Sequence, residues 1–262
     1  MKWHRIKAVM RRHLLIWPRN LDQITDIFWW PVLELLTWGL FTVYLTKNNI
    51  SSPSLVTFLL GGVMFWSVIT QSQQQTSLIF MRDAWDRNLL NIFATPITIW
   101  EYFLGGLLVS MIKFIISFII LFVLGYILYA FNIFSLGWYF LPFMFNLSLF
   151  GWAIGLFVTG FIVRYGWRVS SFAWTIISIF QPFSAVFYPL STLPNWAQKI
   201  GLLFPSTYIF EGMRSVFLTE TMKANYLIIS FGLNLVYFVL ALLFYRWMFK
   251  VALEKGLLIK FV

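Results

Sequence analysis

The stretch LGGLLVSMIKFIISFIILFVLGYILYAF, Leu104 to Phe131, decides the fold. It is 28 residues long and carries one charge, Lys113. A helix rising 1.5 Å per residue needs about 20 apolar residues to cross about 30 Å of hydrocarbon. The run is longer than that, and it shows none of the ten-residue apolar/polar alternation of a barrel strand. Only a helix satisfies its own backbone in such a segment. Working outward, five more runs read the same way: Ile27–Thr46, Leu55–Gln75, Trp138–Val163, Val169–Leu190 and Tyr226–Met248. Together the six cover more than half of the 262 residues and leave no segment long enough for a folded soluble domain. The expected fold class is an all-α membrane protein, a single transmembrane domain over residues 1–262 with six transmembrane helices.

Composition agrees. Hydrophobic residues make up 60% and charged residues 11%, against about 45–50% and about 25% in soluble domains. No cysteine is present, which excludes disulfides, thiolate metal sites and cysteine nucleophiles. The two histidines, His4 and His13, lie at the start of the chain, so neither a buried metal site nor a catalytic triad is expected. The net charge of +10 could mean nucleic acid, but the charges sit between apolar runs, where a basic excess reports topology and anionic lipid. No nucleic-acid partner is expected. Met1 leads into a charged stretch rather than a short apolar core, so no cleavable signal is read.

The basic residues orient the bundle. Lys2, Arg5, Lys7, Arg11, Arg12, Arg19, Arg82, Arg87, Arg164, Arg168, Arg246, Lys250, Lys255 and Lys260 fall on one side. Lys47, Lys199, Arg214 and Lys223 fall on the other. The positive-inside rule then places both termini in the cytoplasm. Trp29, Trp30, Trp100, Trp138, Trp167 and Trp247 near the span ends fit interfacial belts.

Three segments are not plain spans. Over residues 1–18, Trp3, Ile6, Met10, Leu14 and Trp17 form a stripe, with Lys2, Arg5, Arg12 and Arg19 largely away from it. This reads as an amphipathic helix in the membrane interface, its basic side toward lipid phosphates, ended by Pro18. A basic tail that merely obeys topology is the plainer alternative. Residues 82–94 follow the second span. Asp83 and Arg87 form an i,i+4 pair, and Pro96 limits the helix. A short cytoplasmic helix exposing Trp85, Leu89 and Phe93 would either seat a protein partner or pack on the bundle. Over residues 191–220, Pro194 and Trp196 open one short helix, Phe204-Pro205 breaks it, and Ser206 or Thr207 can cap the next, which carries Phe210, Met213 and Phe217 on one face. Both pieces are too short to span, which suggests re-entrant or interfacial helices on the external side.

Glu34 and Lys113 are the charges deep inside spans. Each costs several kcal/mol if exposed to lipid. They contact a charged substrate group, pair with each other, or Lys113 snorkels to the interface. The polar run Gln71–Ser77 either lines a water-filled vestibule or marks the helix leaving the membrane. Gly151 and Gly155 match the small-xxx-small packing pattern. Aromatics are dense in the first, second and fifth spans (Trp29, Trp30, Trp38, Phe65, Trp66, Trp174, Phe180, Phe183, Phe187, Tyr188). They line a path or face lipid. No Gly-rich phosphate loop ending in Lys-Ser/Thr occurs, so no nucleotide cofactor is expected on this chain.

The order of these parts resembles the membrane subunits of ABC exporters, the ABC type-2 permease family. Asn91-Ile92-Phe93-Ala94-Thr95-Pro96-Ile97-Thr98-Ile99-Trp100-Glu101 with Gly105 is similar to its signature after the cytoplasmic coupling helix. Phe183–Leu190, with Pro189, is similar to the end of its fifth span. Leu193–Gln198, Phe204–Tyr208, Glu211 and Arg214 are similar to its external re-entrant helices. The resemblance implies a homodimer bound to two cytoplasmic ATPase subunits, which carry the ATP and Mg. The coupling helix would then be Arg82, Asp83, Trp85, Asp86, Arg87, Leu89 and Phe93, with Pro96 closing it. Pro189, Pro194, Trp196, Pro205, Tyr208, Glu211 and Arg214 would belong to external gate helices. Relatives export drugs, lipid-linked glycans, teichoic acid and other amphiphiles across the cytoplasmic membrane of bacteria or archaea. An ion- or proton-coupled carrier is the alternative. It would show more intramembrane acids and inverted repeats. An intramembrane enzyme would need span-embedded His, Cys or clustered acids, and none are seen.

Overall fold

In the computed structural model, residues 1–48, 53–86, 88–219, 221–222 and 224–256 are described, so Arg87, Lys223 and Lys260 lie outside the described residues. Among them the chain is helical, with short 3-10 turns and no strand. The order is α1 (Trp3–Ile16), α2 (Leu21–Lys47), α3 (Pro53–Trp85), α4 (Leu89–Phe93) and α5 (Ile99–Tyr129). Then come α6 (Phe140–Tyr165), α7 (Phe172–Phe180), α8 (Asn195–Gly201), α9 (Pro205–Thr219) and α10 (Ala224–Glu254). Four helices among the described residues are long and apolar enough to cross a membrane: α2, α5, α6 with its leading 3-10 turn, and α10.

α6 is the axis of the bundle. In its most apolar stretch 83% of residues are buried, against 28% for α2 and 17% for α10. Its glycines let neighbours approach. A Cβ on Gly151 would sit 2.6 Å from the carbonyl of Ile69, and one on Gly155 2.8 Å from the carbonyl of Gln73, both on α3. On the far side, a Cβ on Gly160 would meet the ring of Phe244 on α10 at 2.9 Å. The small-xxx-small pair therefore packs helix on helix. Higher up, the Asn234 amide donates to the Asn146 carbonyl at 2.9 Å, tying α10 to α6 inside the core.

The polar run on α3 corrects the expectation of a water-filled vestibule. Gln71, Ser72, Gln73, Gln75, Thr76 and Ser77 are buried in the protein rather than lining one. Gln73 donates to the carbonyl of Ala173 on α7 at 3.3 Å, and Ser77 to that of Gly155 on α6 at 3.2 Å. α3 is long enough to span; of its buried polar residues Gln73 and Ser77 reach neighbouring helices, while Gln75 and Thr76 bond within α3 itself. Polar side chains act this way as glue between membrane helices.

Pro31 lies inside α2 and is buried. Proline has no N–H, so the carbonyl of Ile27 loses its helical donor. The hydroxyl of Ser117 on α5 takes that place at 2.9 Å. The freed backbone group is satisfied by a neighbouring helix, as hydrocarbon demands.

The fifth apolar run departs from the expected span. Helical residues end at Phe183, after α7 and one 3-10 turn. Pro182 removes a donor there, and the chain runs on through non-helical residues to Leu190. The expected short helix over 82–94 is also divided. Arg82–Trp85 are the last turn of α3, and α4 begins again at Leu89. α5 starts at Ile99, five residues before the apolar run, because Thr98 and Glu101 form a reciprocal capping box.

Candidate coupling face and external helices

Where α3 ends, α1 and α5 close on it around one carboxylate. Asp83 is buried. It accepts from the Arg12 guanidinium at 2.6 Å and from the Tyr102 hydroxyl at 2.6 Å, and His13 Nε2 stands 3.3 Å away. Burial alone would raise the Asp83 carboxyl, but His13, Arg12 and Tyr102 outweigh it and hold it below the usual aspartate range. A second acid repeats the pattern. Glu101 accepts from the backbone N–H of Lys2 at 2.7 Å and pairs with Arg5 at 3.5 Å, and Arg5 also donates to the carbonyl of Pro96. Arg82 joins Asp26 of α2 at 2.7 Å.

These contacts correct the reading of α1. The helix forms where expected, but Ile6 and Val9 are buried while Trp3 is exposed. Arg5 and Arg12, expected to face lipid phosphates, are drawn onto the protein by Glu101 and Asp83. The i,i+4 partner expected for Asp83, Arg87, lies outside the described residues. The exposed face is also narrower than expected. Leu89 is buried, and Phe93 packs between Tyr102 and Phe249, with centroids 5.7 and 5.6 Å away. What faces outward is Trp85, Asp86, Asn91 and the turn through Ala94, Thr95 and Pro96. Beside them a cavity of about 270 Å³ opens between α1 and α4, with Arg12, Asn88 and Asn91 on its wall.

At the opposite end, α8 and α9 form where expected and fold back on the non-helical stretch after α7. Pro194 sits before the first turn of α8 and Pro205 begins α9, so Ser206 and Thr207 lie inside the first turn and do not cap it. Instead Thr207 donates to the carbonyl of Gly201 at 2.7 Å, and Ser206 meets Ser184 at 2.8 Å. Glu211 accepts from the backbone N–H of Leu190, just after Pro189, at 2.7 Å and pairs with Arg214 at 2.6 Å. Arg214 donates to the carbonyl of Ala185 at 3.1 Å and lies 4.1 Å over Phe58. Glu211 and Arg214 thus supply the hydrogen bonds that an unwound chain cannot make with itself. Tyr208 donates to the Leu202 carbonyl at 2.9 Å, and the exposed Trp196 makes a T-shaped contact with Phe183, centroids 6.0 Å apart.

This arrangement has a counterpart among known families. The ABC-2 type transporter family model matches residues 4–218, from α1 into the last turn of α9. The chain belongs to the ABC-2 type transporter family. It is a multi-pass membrane protein and a permease component of an ABC transporter, which favours that reading over an ion-coupled carrier. No curated protein matches the chain.

In this ABC-2 protein the two deep charges do not pair with each other. Lys113 is buried, donates to Gln23 of α2 at 3.0 Å and lies 5.6 Å over the ring of Trp17. Glu34 is half-buried and has no ion pair among the described residues. It borders the face of α2 that exposes Trp30, Thr37 and Phe41. The sequence carries no local signal for Arg12, His13 and Tyr102 as partners of Asp83, because the first two lie about 70 residues away and Tyr102 lies 19 away on a different helix. The Glu101 cap did leave a signal, a Thr three residues before a Glu just ahead of an apolar run.

Proposed function

We propose that the chain is the transmembrane subunit of an ATP-driven exporter. Two copies would pair in the cytoplasmic membrane of a bacterium or archaeon, with both termini in the cytoplasm and two separate ATPase subunits beneath. The cargo class is hydrophobic or amphiphilic: a drug, a lipid or a lipid-linked glycan. ATP and Mg belong to the partner subunits.

The observation that carries the reading is the anchored corner at Asp83. Trp85 and Asp86 face outward one turn from a carboxylate that binds α1 and α5 at once. A push on this corner is delivered to three helices together rather than lost in a loose loop. Lys47 and Arg214, against the many basic residues at the other end, support the orientation. Glu34 supports the pairing of copies. A carboxylate beside an uncovered helix face is expensive in lipid, and a second subunit or water relieves it. In this reading Pro189, Pro194, Trp196, Pro205, Tyr208, Glu211 and Arg214 serve an external gate, and Glu34 borders the substrate path while Lys113 is held inside the subunit by Gln23 and Trp17.

Co-purification with the ATPase subunit tests the reading. Trp85→Asp with Asp86→Lys is expected to abolish ATPase binding while leaving membrane insertion unchanged. Wild-type binding and stimulated hydrolysis in that variant would remove the partner from this face.

A further inference from the structure

A groove unrelated to the coupling corner runs along the outer side of the bundle between α6, α7 and α10. It encloses about 450 Å³ and is walled by Phe150, Phe157, Phe180, Tyr237, Leu240 and Phe244, with almost no polar lining. Two of its walls, α6 and α10, meet at two levels along it, Phe150 against Tyr237 at 5.8 Å and Phe157 against Phe244 at 4.5 Å. The aromatic track continues past Phe161, 5.0 Å from Phe244, and Trp247, 6.1 Å from Phe244.

The track ends on a cation. The Arg164 guanidinium lies 5.1 Å over Tyr165 and 5.8 Å over Trp247, with Met248 Sδ at 3.6 Å. No acid pairs with it among the described residues, and Arg168 is exposed one turn on. From Phe150 to Arg164 the helix rises about 21 Å, somewhat more than the roughly 15 Å of one leaflet. A cation held at the boundary of hydrocarbon calls for an anion. The groove calls for a single apolar chain, and a phosphate-bearing lipid supplies both in one molecule.

We propose that this groove binds one acyl chain of an anionic glycerophospholipid, whose phosphate headgroup is held by Arg164. A zwitterionic lipid brings the same phosphate with its own ammonium beside it, and so offers Arg164 no net negative charge. A second copy of the chain would cover the groove but bring an aromatic face to an aromatic face and leave the charge unmet.

The full chain is reconstituted with equal amounts of phosphatidylglycerol and phosphatidylethanolamine, and the lipids it retains are counted by native mass spectrometry. Wild type is expected to keep phosphatidylglycerol in preference. Arg164→Gln is expected to cut that preference roughly fivefold, the effect of one arginine near an anionic surface. Arg164→Lys is expected to keep it. Leu240→Trp, which fills the groove from its exposed rim, is expected to lower retention of both lipids. Equal retention of the two lipids by wild type overturns the proposal, as does full preference in Arg164→Gln. Crosslinking of Leu240→Cys between copies in the same vesicles assigns the groove to a subunit interface and overturns it too. If Arg164→Gln does not fold, the lysine and tryptophan variants with the crosslinking decide.

Discussion

Removing the charge of Asp83 leaves Arg12 and His13 facing an amide in a buried setting. Arg12 is about a quarter exposed, so water recovers part of the loss. Asp83→Asn is expected to destabilise the chain by about 1–3 kcal/mol. The same carboxyl sets a pH dependence. Its native value is depressed, so its contribution is complete at neutral pH and is lost as pH falls through that depressed value. Thermal unfolding from pH 7 downward past about 3.9, the ordinary aspartate value, is expected to show an acid decline in wild type and a shallower one in Asp83→Asn. Equal slopes would mean that this carboxylate does not anchor α1. The sequence marked Asp83 as charged and helical but offered Arg87 as its partner, because spacing along one helix is visible and contact between distant helices is not.

Among the helices, the α3–α6 seam is close-packed at the glycines of α6. Its glycines were visible as a loose motif, and its glutamines as a polar run of uncertain placement. The two signals are one feature: glycine on α6 lets the backbone and short side chains of α3 come close enough to share hydrogen bonds. Gly155→Leu is expected to force α3 away from α6 and cost about 1–3 kcal/mol or more by overpacking. Gly232→Ala, on a part of α10 where a Cβ meets nothing within 4 Å, is the matched control and is expected to leave the melting temperature unchanged or raised. A Gly155→Leu protein that melts with wild type would mean that the seam is not close-packed. The apolar helices themselves were legible because hydrocarbon permits little else. The early end of α7 was not, since Gln181 and Pro182 hide inside a run that hydropathy averages as continuous.

For the whole molecule, burial is uneven. α6 is enclosed, while α2 and α10 present long bare faces. The two faces differ, because α2 has Glu34 at its border and α10 carries the walls of an aromatic groove. The chain has no cysteine, so single cysteines report cleanly. Leu40→Cys, at a position 63% exposed on α2, is expected to form a disulfide between copies in oxidised membranes. Val239→Cys, 51% exposed on α10, is expected not to. The reverse result would move the subunit contact to α10.

The buried glutamines of α3 also bear on how the chain is made. A segment carrying Gln71, Gln73 and Gln75 together enters hydrocarbon poorly by itself, because its amides have no partners there. Its hydrogen-bonding partners, Gly155 and Ala173, are synthesised about 80 to 100 residues later. α3 is therefore expected to wait at the translocon until α6 and α7 emerge, and to leave it as part of a cluster. A nascent chain stopped after α5 would expose this dependence through incomplete protection of α3 from protease.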